Sequence, residues 1–260
     1  MVNLELKVKE KKLTKILFMF KKRFFLSLAL KYKIFYKIYL YYNLYIRNFK
    51  YIFQKSYSQF NDDIFIKKFF QNKIGTYVDV GCHHPFKLNN TYLLYKRGWN
   101  GLNIDLMNIN IDLFNIWRPK DKNICAAISN KDKTSSVYIP NNNILSTEIS
   151  IQKSYANMIK DHFKNPFTKK KIKIFTFESI IKNHKIKLEK FDFLKIDIEG
   201  EDYKVLKNIN LKKYNPRLIC IEDRIEKEEN KNKIDKYLRS IKYKLIFRSP
   251  VNLFYQKLDK

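Results

Sequence analysis

"YVDVGCHHPFKLNNTYLLYKRGWNGLNID", residues 77–105, holds a strand, a turn, a helix start and a second strand in one run. Thr76–Val80 reads as a buried strand broken only by Asp79, and Gly81 follows it where a tight turn is needed. Leu102–Asp105 reads as the next strand, ending in an acid 24 residues beyond Gly81. A strand, a helix and a strand in this order predict a parallel pair joined by a crossover.

The same alternation continues outward. Strands are expected at Ile124–Ile128, Ser136–Ile139, Lys171–Phe175, Phe191–Ile196, Leu218–Glu222, Lys242–Phe247 and Asn252–Gln256. Helices are expected at Asn61–Gln71, Asn90–Lys96, Asn108–Trp117, Phe177–His184, Glu201–Lys207 and Lys231–Ser240. The pattern predicts an α/β fold, with a mostly parallel sheet covered by helices. Only "RSPVN" separates the last two strands, so these should form an antiparallel edge hairpin. Residues 140–170 are polar and rich in Asn and Lys, and read as a variable insertion, a lid or an acceptor loop.

Ligands of an open parallel sheet sit at the carboxyl ends of its strands. The polar residues there are Asp79 with Gly81, Asp105, Asp197 with Glu199, and Glu222 with Asp223. An acid placed like Asp105 accepts hydrogen bonds from ribose hydroxyls. In "CHHP", successive side chains of an extended segment point to opposite sides, so Cys82, His83 and His84 cannot converge on one ion. A nucleophilic Cys82 needs exposure and a lowered pKa. A cofactor loop in which His83 or His84 contacts a ligand is the better reading. Tyr92, Trp99 and Trp117 read as packing residues, with an aromatic platform for a sugar ring as the alternative.

Charge needs discounting. The net charge is +28, yet Lys outnumbers Arg 45 to 8, and Arg is the residue suited to bidentate phosphate and base recognition. A solvated lysine surface is the simpler reading. Residues 1–60 carry +12 of the total and are rich in aromatics. Their longest uncharged run, Ile38–Ile46, falls short of the ~20 residues of a spanning helix. On a helical wheel Leu17, Phe20, Phe24, Leu28, Phe35, Ile38 and Tyr42 share a sector. The segment therefore reads as a basic helical extension that either lies on an anionic membrane surface or packs against protein. Three cysteines in apolar runs fit a reducing compartment, and the cytoplasm, with a peripheral place on the membrane, is the expected location.

Two strings, "YVDVGCHHPFKLNNTYLLYKRGWNGLNID" and "FDFLKIDIEGEDYKVLKNINLKKYNPRLICIED", carry a D-V-G-x-H turn, an N-T-Y helix start, a G-W-x-G step and an I-D-x-E-G motif. Together these resemble the FkbM family of S-adenosylmethionine-dependent methyltransferases. The likeness covers residues 76–105 and 172–256 well, 106–139 weakly, and residues 1–60 not at all. Where family members often have a further Gly, this chain has His84 and Pro85, so the turn is stiffened by a different route.

The resemblance implies a Rossmann-like class I methyltransferase fold over residues 61–260 and S-adenosyl-L-methionine as cofactor. It places the donor's methionine end near Gly81 and His83, its ribose at Asp105, and its adenine near Asp105, Leu106, Ala126 and Ala127. Asp79, Cys82, Asn90, Thr91 and Asp197 complete the expected donor-binding set. The expected base is Asp197 or Glu199, with His84 third; a divalent metal, if used, would fall to Asp197 and Glu222. The expected acceptor is a hydroxyl of a sugar, glycan or lipid-linked saccharide. An RNA methyltransferase, and a non-catalytic protein that keeps the fold to bind a membrane or partner, are the alternatives.

Overall fold

The computed structural model describes residues 28–29, 31–140, 167–198, 200–222 and 228–258. Glu199, Asp223, most of the 140–170 insertion, and Leu17, Phe20 and Phe24 of the expected leader face lie outside the described residues. The chain divides into two compact units, Met1–Phe53 and Gln54–Lys260.

In the first unit, helix α1 (Lys33–Tyr41) runs into a π-helical turn (Tyr42–Arg47) and a short helix α2 (Phe49–Ile52). Tyr39, Leu40, Asn43, Leu44 and Asn48 are buried. The Asn48 amide donates to the Asn43 backbone and side-chain carbonyls at 2.9 Å, meeting the polar demand that this burial creates. Among the described residues no helix is long and apolar enough to cross a membrane.

In the second unit, seven strands form one sheet in the order β3-β2-β1-β7-β8-β10-β9. These are β1 (Thr76–Val80), β2 (Asn100–Asp105), β3 (Lys122–Cys125), β7 (Phe193–Ile196), β8 (Leu218–Glu222), β9 (Tyr243–Arg248) and β10 (Asn252–Lys257). The first five are parallel and the β9–β10 hairpin is antiparallel at the edge, as expected. Strand order reverses between β1 and β7, which opens a crevice at their carboxyl ends.

Alternation along β1 explains the two cores. Val78 and Val80 pack with Ile104, Leu194, Ile196 and Ile221 under helices α6 (Phe177–Asn183), α7 (Asp202–Asn208) and α9 (Glu228–Ser240). Tyr77 turns to the opposite core, with Phe193, Leu218, Trp99 and Phe70 of helix α3 (Asp62–Phe70). On that second face a polar row crosses the strands in register, Asn103–Asp79–Lys195–Cys220.

The structure divides the expected strand Ile124–Ile128. Its first half is β3 of the main sheet, and β4 (Ala127–Ile128) joins a second sheet, β4-β6-β5, with β5 (Lys133–Pro140) and β6 (Phe167–Phe175). Cys125 and Ala126 sit where the chain changes sheets. The ends of the expected 140–170 insertion are thus strand, because β5 and β6 pair antiparallel from Lys133↔Ile174 to Pro140↔Phe167. A further helix, α8 (Leu211–Tyr214), was not marked in sequence; α4 (Tyr92–Tyr95) and α5 (Asn108–Trp117) fall where expected.

Candidate active site

Gly81 sits at the reversal of strand order. Its φ is +77°, and a Cβ there would stand 1.8 Å from the carbonyl oxygen of Asp197. Only glycine lets the chain leaving β1 pass so close to the chain leaving β7. The Asp197 N–H donates to the Val80 carbonyl at 3.0 Å, and the Gly81 N–H to the Ile104 carbonyl at 2.8 Å, so three strand ends are tied together.

Lys195 fills the space below. Its ammonium donates to the Gly81 carbonyl at 2.8 Å and lies 3.3 Å from Asp197 Oδ2 and 3.5 Å from Asp79 Oδ1. Three N–H bonds face three acceptors at the ends of two neighbouring strands, β1 and β7. Burial alone would lower the Lys195 pKa, but the Asp197 and Asp79 carboxylates outweigh it and raise it, which keeps the ammonium charged. The Asp79 side chain is wholly enclosed and also accepts from Thr91 Oγ1 at 2.8 Å. Asp197, with 36% of its side chain exposed, is the member of this cluster that a ligand can reach.

Asp105 closes the other side. Oδ2 accepts from the His83 N–H at 2.8 Å; Oδ1 accepts from the Met107 N–H at 2.8 Å and from the Asn110 amide at 3.0 Å. A carboxylate offers about four acceptor positions, so one remains after these three. Burial pushes the Asp105 carboxyl up to about 6, against the pull of those hydrogen bonds. Leu106 is half-buried beside it, and the Ala126 N–H donates to the Asp105 carbonyl at 2.9 Å, which brings Ala126 and Ala127 to the same corner.

His83 has a φ of +55°, a left-handed conformation that glycine would adopt without strain. Burial, with Lys195 and Lys87 nearby, pulls its imidazole down to about 4. His84 is buried, and its Nδ1 accepts from the Lys87 N–H at 3.1 Å, so that nitrogen serves the turn. Cys82 is buried, and burial drives its thiol well above the usual range, so it is no nucleophile. Among the described residues no three His, Cys, Asp or Glu side chains gather as a metal site.

Beneath the turn lies a fully buried Arg118, which the sequence reading missed. It donates to the Pro85 carbonyl, to Asn89 Oδ1 at 2.7 Å and to Thr91 Oγ1 at 2.9 Å. Its guanidinium lies 4.8 Å from the Phe114 ring centroid and 5.1 Å from that of Tyr92, and 3.9 Å from Asp121. Thr91 and Cys82 therefore support the site from below, with Asn90 donating to Cys220 Sγ at 3.6 Å. Trp99 is core, and Trp117 Nε1 donates to the Tyr92 hydroxyl at 2.9 Å. The one sequence signal for Lys195 was a lone lysine in an otherwise apolar strand, "FLKI", which must be paired if buried.

A family model described as the methyltransferase FkbM domain matches residues 79–245. The chain belongs to the FkbM methyltransferase family. The matched region takes in Gly81, Asp105, Lys195 and Asp197. No curated protein matches the chain. Among solved structures it is similar to the methyltransferase FkbM from Methylobacillus flagellatus KT, at 16% identity and a TM-score of 0.45, over 70% of this chain and 43% of that one. It is also similar to the O-methyltransferase from Bacillus cereus in complex with SAH, at 11% identity and a TM-score of 0.38, over 74% and 78% of the two chains. The chain thus spans under half the length of the Methylobacillus protein.

The FkbM site suits the donor of its family chemically. S-adenosylmethionine presents a sulfonium, an α-ammonium and two ribose hydroxyls, all of which seek acceptors or negative charge. Around Gly81 stand three carboxylates, Asp79, Asp105 and Asp197, against one buried cation, Lys195. Asp79 Oδ1, wholly enclosed, has no hydrogen-bond partner among the described residues beyond that ion pair, so Asp79 serves the ammonium.

Proposed function

We propose that this FkbM methyltransferase methylates a hydroxyl of a saccharide, with Asp197 as the base. S-adenosylmethionine supplies a methyl group on a good leaving group, so the protein's task is alignment and proton removal. Asp105 accepts a ribose hydroxyl at its remaining position, and Gly81 with His83 borders the methionine end. Leu106, Ala126 and Ala127 flank the adenine. The acceptor oxygen takes the methyl as its proton passes to the Asp197 carboxylate and then to water. The observation that carries this reading is that Asp197 alone of the cluster is both pinned by an ammonium and open to a ligand. Glu199 remains the second candidate base, and His84 ranks lower because its Nδ1 is engaged by the backbone.

The test is transfer of a labelled methyl group to a panel of saccharides and lipid-linked saccharides by the full chain. Transfer that falls at least a hundredfold in Asp197→Asn, with donor binding kept, supports the reading. Donor binding without transfer to any saccharide removes the acceptor assignment.

One observation favours a second acceptor. Lys169, Lys171 and Lys173 are exposed on one side of β6, opposite Tyr138, Ser136 and Thr134 of β5. Such a lysine ladder suits an anionic polymer, and an RNA acceptor would show binding that weakens steeply with salt.

A further inference from the structure

Helix α1 carries Ile34, Ile38 and Tyr41 at i, i+4 and i+7, the spacing of one helix face. All three are exposed, Ile34 by 62%. The π-helical turn continues the stripe: the Tyr45 ring stacks on Tyr41, with centroids 6.1 Å apart and planes 12° apart. Phe49 and Phe53, at 56% and 76% exposure, lie edge to face at 5.4 Å. The opposite side, with Tyr39, Leu40 and Leu44, is the one that is buried. The exposed side is therefore the apolar one, which is the reverse of a helix that has finished burying its greasy face.

Charge decides what can cover it. Between Leu28 and Phe53 the chain has five cations, Lys31, Lys33, Lys37, Arg47 and Lys50, and no carboxylate. All five are exposed. Aromatic and aliphatic side chains beside cations, without acids, match the interface of an anionic bilayer, where rings enter the headgroup region and ammonium groups meet lipid phosphates. With no helix able to span among the described residues, the arrangement calls for lying in the surface rather than crossing it.

We propose that the Ile34–Ile38–Tyr41–Tyr45 face, with Phe49 and Phe53, docks this protein on an anionic lipid surface. The inference stands apart from the donor site; only the corollary that the saccharide acceptor is borne by a lipid rests on the proposed function.

The experiment is co-sedimentation of the full chain with vesicles of phosphatidylcholine alone or with ~30 mol% phosphatidylglycerol. Binding is expected only with the anionic lipid, and it should weaken as salt rises from ~0.1 to ~0.5 M. Ile38→Ser/Tyr41→Ser should bind at least about tenfold more weakly, and Lys33→Gln/Lys37→Gln about tenfold or more, since each cation near the surface contributes about fivefold. Both variants should keep the parent's melting temperature and S-adenosylmethionine affinity, which separates a lost surface from a lost fold. Equal binding to neutral vesicles, no binding, or unchanged binding by the serine variant would overturn the proposal. So would a dimer, or an RNA complex, that the same serine substitutions abolish in place of lipid binding. Failure of donor binding in the parent chain would count against the proposed function and leave this inference standing.

Discussion

At the scale of single residues, the proposed ribose contact makes Asp105 a link between pH and donor binding. Its carboxyl, raised to about 6, is protonated in the free protein below that value. A ribose hydroxyl that donates to the carboxylate stabilises the ionised form, so donor binding must expel a proton at low pH. S-adenosylmethionine affinity should therefore rise from about pH 5 to about pH 7 and level off above. Titration calorimetry in two buffers of different ionisation enthalpy should show proton release near pH 5 and little at pH 8. His83, lowered to about 4, stays neutral through this window and adds nothing to the trend. Gly81 and His83 form a second contrast, since both have positive φ. Gly81→Ala should destabilise by about 3 kcal/mol or more, because its Cβ would meet backbone rather than a yielding side chain. His83→Gly should change stability by less than about 1 kcal/mol, as the strain it relieves is offset by a looser unfolded chain. Chemical denaturation measures both.

At the scale of elements, β1 and β7 are joined by charge as well as by their ladder. Lys195→Met alone leaves Asp79 enclosed without its cation and should cost about 3–5 kcal/mol. Asp79→Asn/Lys195→Met removes both charges and should recover most of that loss, a coupling that a double-mutant cycle reads directly. Additive losses would mean that the pair does not act as a unit. These elements also show what the sequence discloses. Acids at strand ends and a glycine between them were legible, because a parallel sheet sends every carboxyl end to one side. The edge hairpin was legible from the gap between its strands, too short for a helix. Lys195 and Arg118 were not, because long basic side chains are ordinarily exposed and their partners lie distant in sequence: Lys195 meets Gly81 and Asp79, while Arg118 meets Pro85 and Asn89. The second sheet was hidden for the same reason, since β4 pairs with β6 across more than 40 residues. Nor did the helical wheel foresee the π-helical turn; Ile38 and Tyr42 of the expected sector are exposed, while Phe35 is half-buried.

At the scale of the whole molecule, the formal charge of +28 contrasts with the proposed site, an acidic corner around one buried lysine. A basic exterior repels the sulfonium donor at long range, so the affinity must come from contacts inside the cleft, where screening by salt is weak. Hydrogen–deuterium exchange of the full chain, with and without S-adenosylmethionine, locates that cleft without knowledge of the acceptor. The account predicts slowed exchange in peptides spanning residues 79–84, 104–107, 124–128 and 195–198, the ends of β1, β2, β3 with β4, and β7. Protection confined to other segments, or none at saturating donor, would contradict it.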